Sequence, residues 1–128
     1  TLSVGTLAAG GSNSSIGKSS NDAANLVISG ATLKYTGSSV SIDRNFTIAS
    51  GTTGTIEVTS SSATLTLTGA AANTTGALTK TGSGTLVLSG SNAYTGITTI
   101  SAGTLQSGAN DVISNSSAVQ WGDVGSEW

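Results

Sequence analysis

Cysteine, histidine, methionine and proline do not occur in this 128-residue sequence. Without cysteine there is no disulfide framework, and zinc loses both its thiolate and its imidazole ligands. No stretch of about 18 apolar residues is present, so the sequence predicts no membrane-spanning helix. No charged and then apolar leader precedes Thr1, and with no initiator methionine we expect a processed or excised piece.

Charged and aromatic residues are also scarce, at 8% and 4% of the chain. The basic residues are too few and too scattered to neutralise several phosphates or to hold an anionic membrane. These residues are Lys18, Lys34, Arg44 and Lys80. We therefore expect no nucleic-acid partner and no membrane insertion by this segment.

Serine, threonine and glycine dominate what is present. A disordered chain would be expected to carry more charge, more proline and fewer β-branched residues. Threonine, valine and isoleucine are instead plentiful, which favours an ordered all-β protein. No segment supports a helix of useful length.

Short segments that alternate apolar and polar residues recur with a period of about 20 residues, as expected for strands with one buried face. Their apolar pairs are predicted to stack in columns, namely Leu26/Ile28, Phe46/Ile48, Leu65/Leu67 and Leu86/Leu88, and the series continues to Thr104-Leu105. A second, less regular series lies between them: Leu33/Tyr35, Ile56/Val58, Leu78, Ile100 and Val119/Trp121. Strands of this period with glycine at the corners predict one β-solenoid domain, a parallel β-helix with coils of about 20 residues.

Residues 78–96 and 98–105 resemble the autotransporter-associated β-strand repeat, with the sequences LTKTGSGTLVLSGSNAYTG and TTISAGTL. Residues 31–37 and 43–46 are similar to segments that lie upstream of that repeat. Ile97 departs from the pattern, where a second glycine is expected. The resemblance implies a right-handed parallel β-helix from the passenger region of a type V secreted protein of Gram-negative bacteria. It also implies an extracellular or outer-membrane surface location and a passive role as a stiff, protease-resistant stalk.

Several short patterns in the chain resemble catalytic motifs. Residues 15–18 fit S-x-x-K, residues 19–21 fit S-x-N and residues 80–82 fit K-T-G, the three motifs of serine acyl-enzymes. Residues 17–19 match the end of a phosphate-binding loop, but Ser12 stands where that loop requires glycine. Since serine is frequent and no helix is available, these patterns are interpreted as chance matches, and Lys18 as a solvated charge on a loop.

Other kinds of enzymatic or metal site have equally little support in the sequence. The acidic residues fall on different turns, so they do not form the convergent carboxylates of a glycosidase. They are Asp22, Asp43, Glu57, Asp111, Asp123 and Glu127. Asp43 and Arg44 are predicted to be a local surface pair. We expect no enzymatic activity, no cofactor and no metal.

Two binding functions are alternatives to a passive role. Ice binding needs a regular threonine array, and the predicted outward column of Val27, Thr47, Thr66, Val87 and Gln106 is not one. A surface that binds sugars for adhesion would use exposed aromatic side chains. The candidates are Tyr35, Tyr94, Trp121 and Trp128, although core or turn packing is the simpler interpretation of both tyrosines.

The ends of the solenoid suggest a further alternative, because an uncovered terminal strand invites pairing. Residues 1–118 are predicted to be stacked coils, and residues 119–128 a cap, a next coil or an interface strand. Residues 1–5 also resemble residues 104–108, which predicts a unit of about 103 residues. The candidate end-to-end interface consists of Thr1, Leu2, Ser3, Val4, Val119, Trp121 and Trp128. Its partner would be another copy, giving a filament, or the flanking coils of a longer chain.

Overall fold

The computed structural model describes residues 1–109, 112–113 and 119–121, and this part of the chain has an all-β fold with almost no helix. One short 3₁₀ turn, Ala23–Asn25, lies between the first two strands. The strands are β1 (Leu2–Val4), β2 (Val27–Ile28), β3 (Thr32–Tyr35), β4 (Val40–Ile42), β5 (Thr47–Ile48), β6 (Thr53–Val58), β7 (Thr64–Leu67), β8 (Ala77–Thr81), β9 (Thr85–Leu88), β10 (Thr98–Ile100), β11 (Thr104–Ser107) and β12 (Val119–Trp121).

The strands form three parallel sheets, one for each face of a β-solenoid. Sheet A has six strands in the order β1-β3-β6-β8-β10-β12, sheet B pairs β2 with β5, and sheet C has the order β11-β9-β7-β4. Each strand therefore pairs with its equivalent in the next coil, which confirms the predicted solenoid. A coil takes about 23 residues, slightly more than the predicted 20.

Sheet A contains the second of the two predicted strand series. Leu33 pairs with Ile56 and Tyr35 with Val58, and the same sheet continues through Leu78 and Ile100 to β12. The column that begins Leu2, Leu33 and Ile56 continues with Lys80, Ile100 and Trp121. The sequence pattern did not predict a lysine in an inward column of this sheet.

The first predicted series is divided between two sheets, so the prediction that its apolar pairs stack on one another throughout was wrong. Ile28 pairs with Ile48 in sheet B, whereas the Leu65/Leu67 and Leu86/Leu88 pairs stack in sheet C. Their partners at the end of sheet C are Val40 and Ile42 of β4, a strand that the series did not include. Each coil has three faces, and segments with the same alternation lie on different ones.

The similarity between the two ends of the sequence does not correspond to equivalent positions. Leu2 pairs with Leu33 in sheet A, whereas Leu105 pairs with Leu86 in sheet C. Residues 119–121 form β12 and extend sheet A beyond β10. Residues 122–128, part of the segment predicted as a cap, coil or interface strand, lie outside the described residues.

The core is a narrow column of aliphatic side chains, because every second strand residue points inward. Among the residues that are fully or nearly fully buried are Ile48, Ile56, Leu65, Leu78, Leu86, Ile100 and Leu105. In the described part of the chain, four polar or charged side chains are buried with them: Arg44, Lys80, Asn92 and Thr98. Since an unpaired buried polar group costs free energy, each of these groups needs partners.

Tight corners separate the sheets, and Gly103 lies at one of them. Its φ of 68° is in the left-handed region, and a Cβ there would collide with the carbonyl oxygens of Gly82 and Gly84. Gly51 has a similar φ of 74°, yet a Cβ at this position would meet nothing within 4 Å. Close stacking of one coil on the next is therefore a constraint at Gly103 but not at Gly51.

We expect Gly103→Ala to lower the free energy of unfolding by about 3 kcal/mol or more, since backbone strain and overpacking add. Gly51→Ala, the matched control, should cost only the backbone strain of about 1 kcal/mol. Urea denaturation of both variants followed by circular dichroism measures the difference. Equal destabilisation of the two variants would mean that contact between coils does not restrict the side chain at position 103.

Candidate functional site

The segment that contains the S-x-x-K and S-x-N patterns is a compact loop with closely spaced ends. The backbone N–H of Gly11 donates to the carbonyl of Ser19 at 2.8 Å, and we call residues 11–19 the Ω-loop. Gly17 has a φ of 92°, which turns the chain back toward the solenoid. Lys18 is exposed on this loop, as the sequence predicted.

The Arg44 guanidinium fills the inside of the Ω-loop, and only 2% of this residue is exposed. Its Nε donates to the carbonyl of Ala8 at 2.8 Å and its Nη2 to the carbonyl of Gly17 at 2.9 Å. Longer hydrogen bonds reach Ser12 O, Ser14 Oγ, Ser19 O and Ser19 Oγ. Carbonyl and hydroxyl oxygens from several points of the loop thus converge on one cation.

The predicted surface pair of Asp43 and Arg44 was wrong. Arg44 is directed inward, and its hydrogen bonds go to the loop and to Ala8. Asp43 is exposed and accepts from the N–H of Gly10 at 2.8 Å and from Asn21 Nδ2 at 3.5 Å. The two neighbouring charges therefore hold two different parts of the same segment.

These contacts give the residues of the apparent catalytic motifs structural partners. Ser15 Oγ accepts from the N–H of Thr6 at 3.1 Å, and Ser19 Oγ accepts from Arg44 at 3.3 Å. Lys80, from the K-T-G pattern, lies in β8 and contacts carbonyl groups of its own corner. The geometry supports folding of the loop and of the corner rather than acyl transfer.

Lys80 is fully buried in sheet A between Ile56 and Ile100. Its Nζ donates to the carbonyls of Thr81, of Gly82 at 3.0 Å and of Ala102 at 3.3 Å. The last of these belongs to the following coil. Lys80 therefore connects two successive corners, and this role explains a lysine in an apolar column.

Burial lowers the pKa of Lys80 from its usual 10.5 to about 8, and the negative charge of Glu57 opposes this shift. The folded protein then binds fewer protons than the unfolded chain between these two pKa values. Stability should accordingly rise as the pH increases above about 8. Tyr35 and Tyr94, whose pKa values are raised by burial, oppose this rise only when the pH exceeds about 10.

We expect the free energy of unfolding to increase by about 1–2 kcal/mol between pH 7.5 and 9.5, allowing for partial screening of the buried amine. Lys80→Met should remove this increase because no group with a lowered pKa remains at the corner. Chemical denaturation at several pH values measures both slopes. Lys18→Met, which removes an exposed amine, is the control and should retain the slope of the unaltered chain.

Both tyrosines are packed in the interior, which agrees with the simpler sequence interpretation. Tyr94 is fully buried, and its hydroxyl lies 2.8 Å from Thr98 Oγ1. Burial raises the pKa of Tyr94 to about 12. Tyr35 is also buried and donates to the carbonyl of Ser38. Neither ring is available to stack on a sugar, while Trp128 and the side chain of Trp121 lie outside the described part of the structure.

Among the residues that the structure describes, threonines form two regular outward columns that the sequence did not predict, a column of three on sheet C (Thr64, Thr85 and Thr104) and a column of four on sheet A. The members of the sheet A column are Thr32, Thr55, Thr79 and Thr99. The neighbouring outward column contains Ser3, Lys34, Glu57 and Thr81, with Lys34 Nζ 3.9 Å from Glu57. The charge pair interrupts the second row, so this face is not a broad threonine array.

The acidic residues that the structure describes have different structural partners. Asp22 caps the 3₁₀ turn by accepting from the N–H of Ala24 at 2.9 Å, and Glu57 is paired with Lys34. Within the described residues, no group of three or more potential metal ligands occurs. Asp111, Asp123 and Glu127 are outside those residues. No helix in the described part is long and apolar enough to cross a membrane.

The candidate end-to-end residues lie on the two opposite edges of sheet A. Leu2, Ser3 and Val4 form β1, with Leu2 54% exposed, and Val119 in β12 is 38% exposed. A shallow apolar groove adjoins β1, lined by Leu2, Leu26, Val27, Ile28, Ala31, Thr32 and Leu33. Thr1 flanks β1, and Trp121 ends β12. The use of these edges as an interface remains a prediction.

Comparisons with known proteins agree with this architecture. A family model described as the passenger-associated-transport repeat matches residues 78–106. The chain is 54% identical, over 110 residues and 86% of its length, to a protein named Adhesin BmaC autotransporter from Brucella suis biovar 1 (strain 1330). It spans 3% of the length of that curated relative. No solved structure matches the chain.

Proposed function

We propose that this chain, which contains an autotransporter passenger repeat, is a stiff and non-enzymatic spacer in the stalk of a surface-exposed passenger. The relative is named as an autotransporter, which supports a location on the surface of a Gram-negative cell or outside it. The spacer would set the distance between the cell and whatever the rest of the passenger presents.

The observation that carries this proposal is the continuity of sheet A. Six strands pair in parallel without an interruption, and the strand spacing of about 4.8 Å makes the stack about 24 Å long. Sheets A and C repeat the same strand pairing over several successive coils, so length can be added without changing the cross-section. Such repetition builds a rigid stack from a short repeated sequence pattern.

Adhesion is the second candidate function, since the relative's printed name is that of an adhesin. The described surface gives it less support than the stalk. Both tyrosines are buried, and the threonine column of sheet A borders a charge pair. Assembly into a filament has no support from the comparisons.

Deletion of residues 78–97 tests the spacer role, because Leu78 and Thr98 occupy the same register position in sheet A. The deletion removes one coil and allows β11 to pair with β7, as both share a register with β9. We expect a folded protein shortened by about 4.8 Å, with cooperative unfolding retained. Circular dichroism, thermal unfolding and small-angle X-ray scattering provide the measurements.

Deletion of residues 78–87 is the control, since it removes half a coil and places strands out of register. It should abolish cooperative unfolding.

To separate stalk from adhesin, beads coated with the intact chain and with the one-coil deletion are tested on glycan arrays and on extracellular-matrix proteins. Saturable binding by the intact chain that the one-coil deletion loses would favour adhesion over the spacer.

A further inference from the structure

We propose that residues 5–21, including the Ω-loop, form a separable cap over the free edge of β4, and that Arg44 holds this cap in place. β4 is the terminal strand of sheet C, and its other edge pairs with β7. An open strand edge of this kind is prone to pair with another chain. The cap would protect that edge of β4 from such pairing.

The cap is fixed to the solenoid on both sides of β4. Before the strand, Gly5 lies so close to Gly37 that a Cβ on Gly37 would collide with the Gly5 carbonyl. After the strand, the N–H of Gly10 donates to Asp43 and the carbonyl of Asn21 accepts from Asn45 at 3.0 Å. Residues 5–10 must therefore pass along β4.

The cap does not continue the sheet that it covers. Within the described residues, no ladder hydrogen bonds join it to β4, whereas sheets A and B continue at this end through β1 and β2. Leu2 pairs with Leu33, 31 residues further along, whereas Leu78 pairs with Thr98, 20 residues further along. The additional residues in the first coil are those of the Ω-loop. An inserted loop thus replaces the strand that a regular coil would place on sheet C.

Arg44 supplies most of the polar contacts between the cap and the rest of the solenoid. Its guanidinium binds Ala8 near the start of the cap and Gly17 and Ser19 near the end of the Ω-loop. Apolar anchoring is limited to Leu7, which is 4% exposed, and to Ile16, which packs against the core cluster. Without the guanidinium, several carbonyl groups in the loop would lose their partner at once.

Two lysines make the proposal testable by limited trypsin digestion. Lys18 lies on the Ω-loop, and Lys80 is buried in sheet A, where cleavage requires unfolding of the stack. In Arg44→Met, we expect cleavage after Lys18 to become at least tenfold faster while cleavage after Lys80 stays as slow as in the intact chain. Lys34→Met removes a cation that is paired with Glu57 on sheet A, and this control should change neither rate.

Two results would overturn the proposal. Equal cleavage after Lys18 in the intact chain and in Arg44→Met would show that Arg44 does not hold the loop. Parallel acceleration after Lys18 and Lys80 would show that Arg44 supports the whole fold and that no separable cap exists. Mass spectrometry of the fragments distinguishes these outcomes.

A double variant separates the cap from the rest of the fold even if Arg44→Met is unstable. Deletion of residues 12–18 leaves Gly11 and Ser19, whose backbone groups are already hydrogen-bonded. It also removes oxygen partners of Arg44, so the deletion alone should lower the midpoint of thermal unfolding. Combining the deletion with Arg44→Met should restore this midpoint to within a few degrees, since neither the loop nor the buried charge remains. If the two changes are simply additive, Arg44 does not act through the loop.

The last measurement tests whether the β4 edge, once exposed, causes the protein to associate. Sedimentation velocity of Arg44→Met should show association that increases with protein concentration, while Lys34→Met should sediment as the intact chain does. If Arg44→Met has an open loop by trypsin digestion but does not associate more than the intact chain, the segment does not protect β4.

Discussion

Parallel stacking of each coil on the next, at about 4.8 Å, is the constraint on which the rest of this structure depends. Every side chain lies directly above its equivalent in the neighbouring coil, so each column must contain groups that tolerate one another at that distance. Aliphatic columns such as Leu65, Leu86 and Leu105 satisfy this requirement inside, and the threonine column of sheet A satisfies it outside. Repeated like charges would not, which accounts for a chain with only 8% charged residues.

The same constraint explains why two cations are found in the interior. At the corners the chain leaves the sheets, and carbonyl groups there need donors other than a neighbouring strand. Lys80 and Arg44 both provide donors to such carbonyls, the first at a corner between two coils and the second inside the Ω-loop. Lys80 and Arg44 have different roles because their charged groups differ in donor number and shape. An ammonium group with three donors suits three converging carbonyls, whereas the planar guanidinium with five donors can organise a longer segment.

Much of this fold is predictable from the sequence because strand alternation and glycine corners are local signals. The series that forms sheet A could be identified from residues such as Leu33, Ile56 and Leu78. The distribution of strands among three faces could not, since Ile28 and Leu65 follow the same local pattern but lie in different sheets. The burial of Arg44 and Lys80 was missed for a related reason. Charge alone favours the surface, and only the position of surrounding carbonyl groups shows that the interior can accept it.

The Ω-loop shows how a structural segment comes to resemble a catalytic one. A loop that closes around a cation needs small residues, a glycine with positive φ and side chains that hydrogen-bond locally, as Ser14, Ser15 and Gly17 do. Phosphate-binding and acyl-enzyme loops select similar residues because they also place backbone groups around a charge. In those loops backbone N–H groups converge on an anion, whereas here carbonyls converge on Arg44. The polarity of the converging groups, rather than the residue types, is therefore what distinguishes this loop from an anion site.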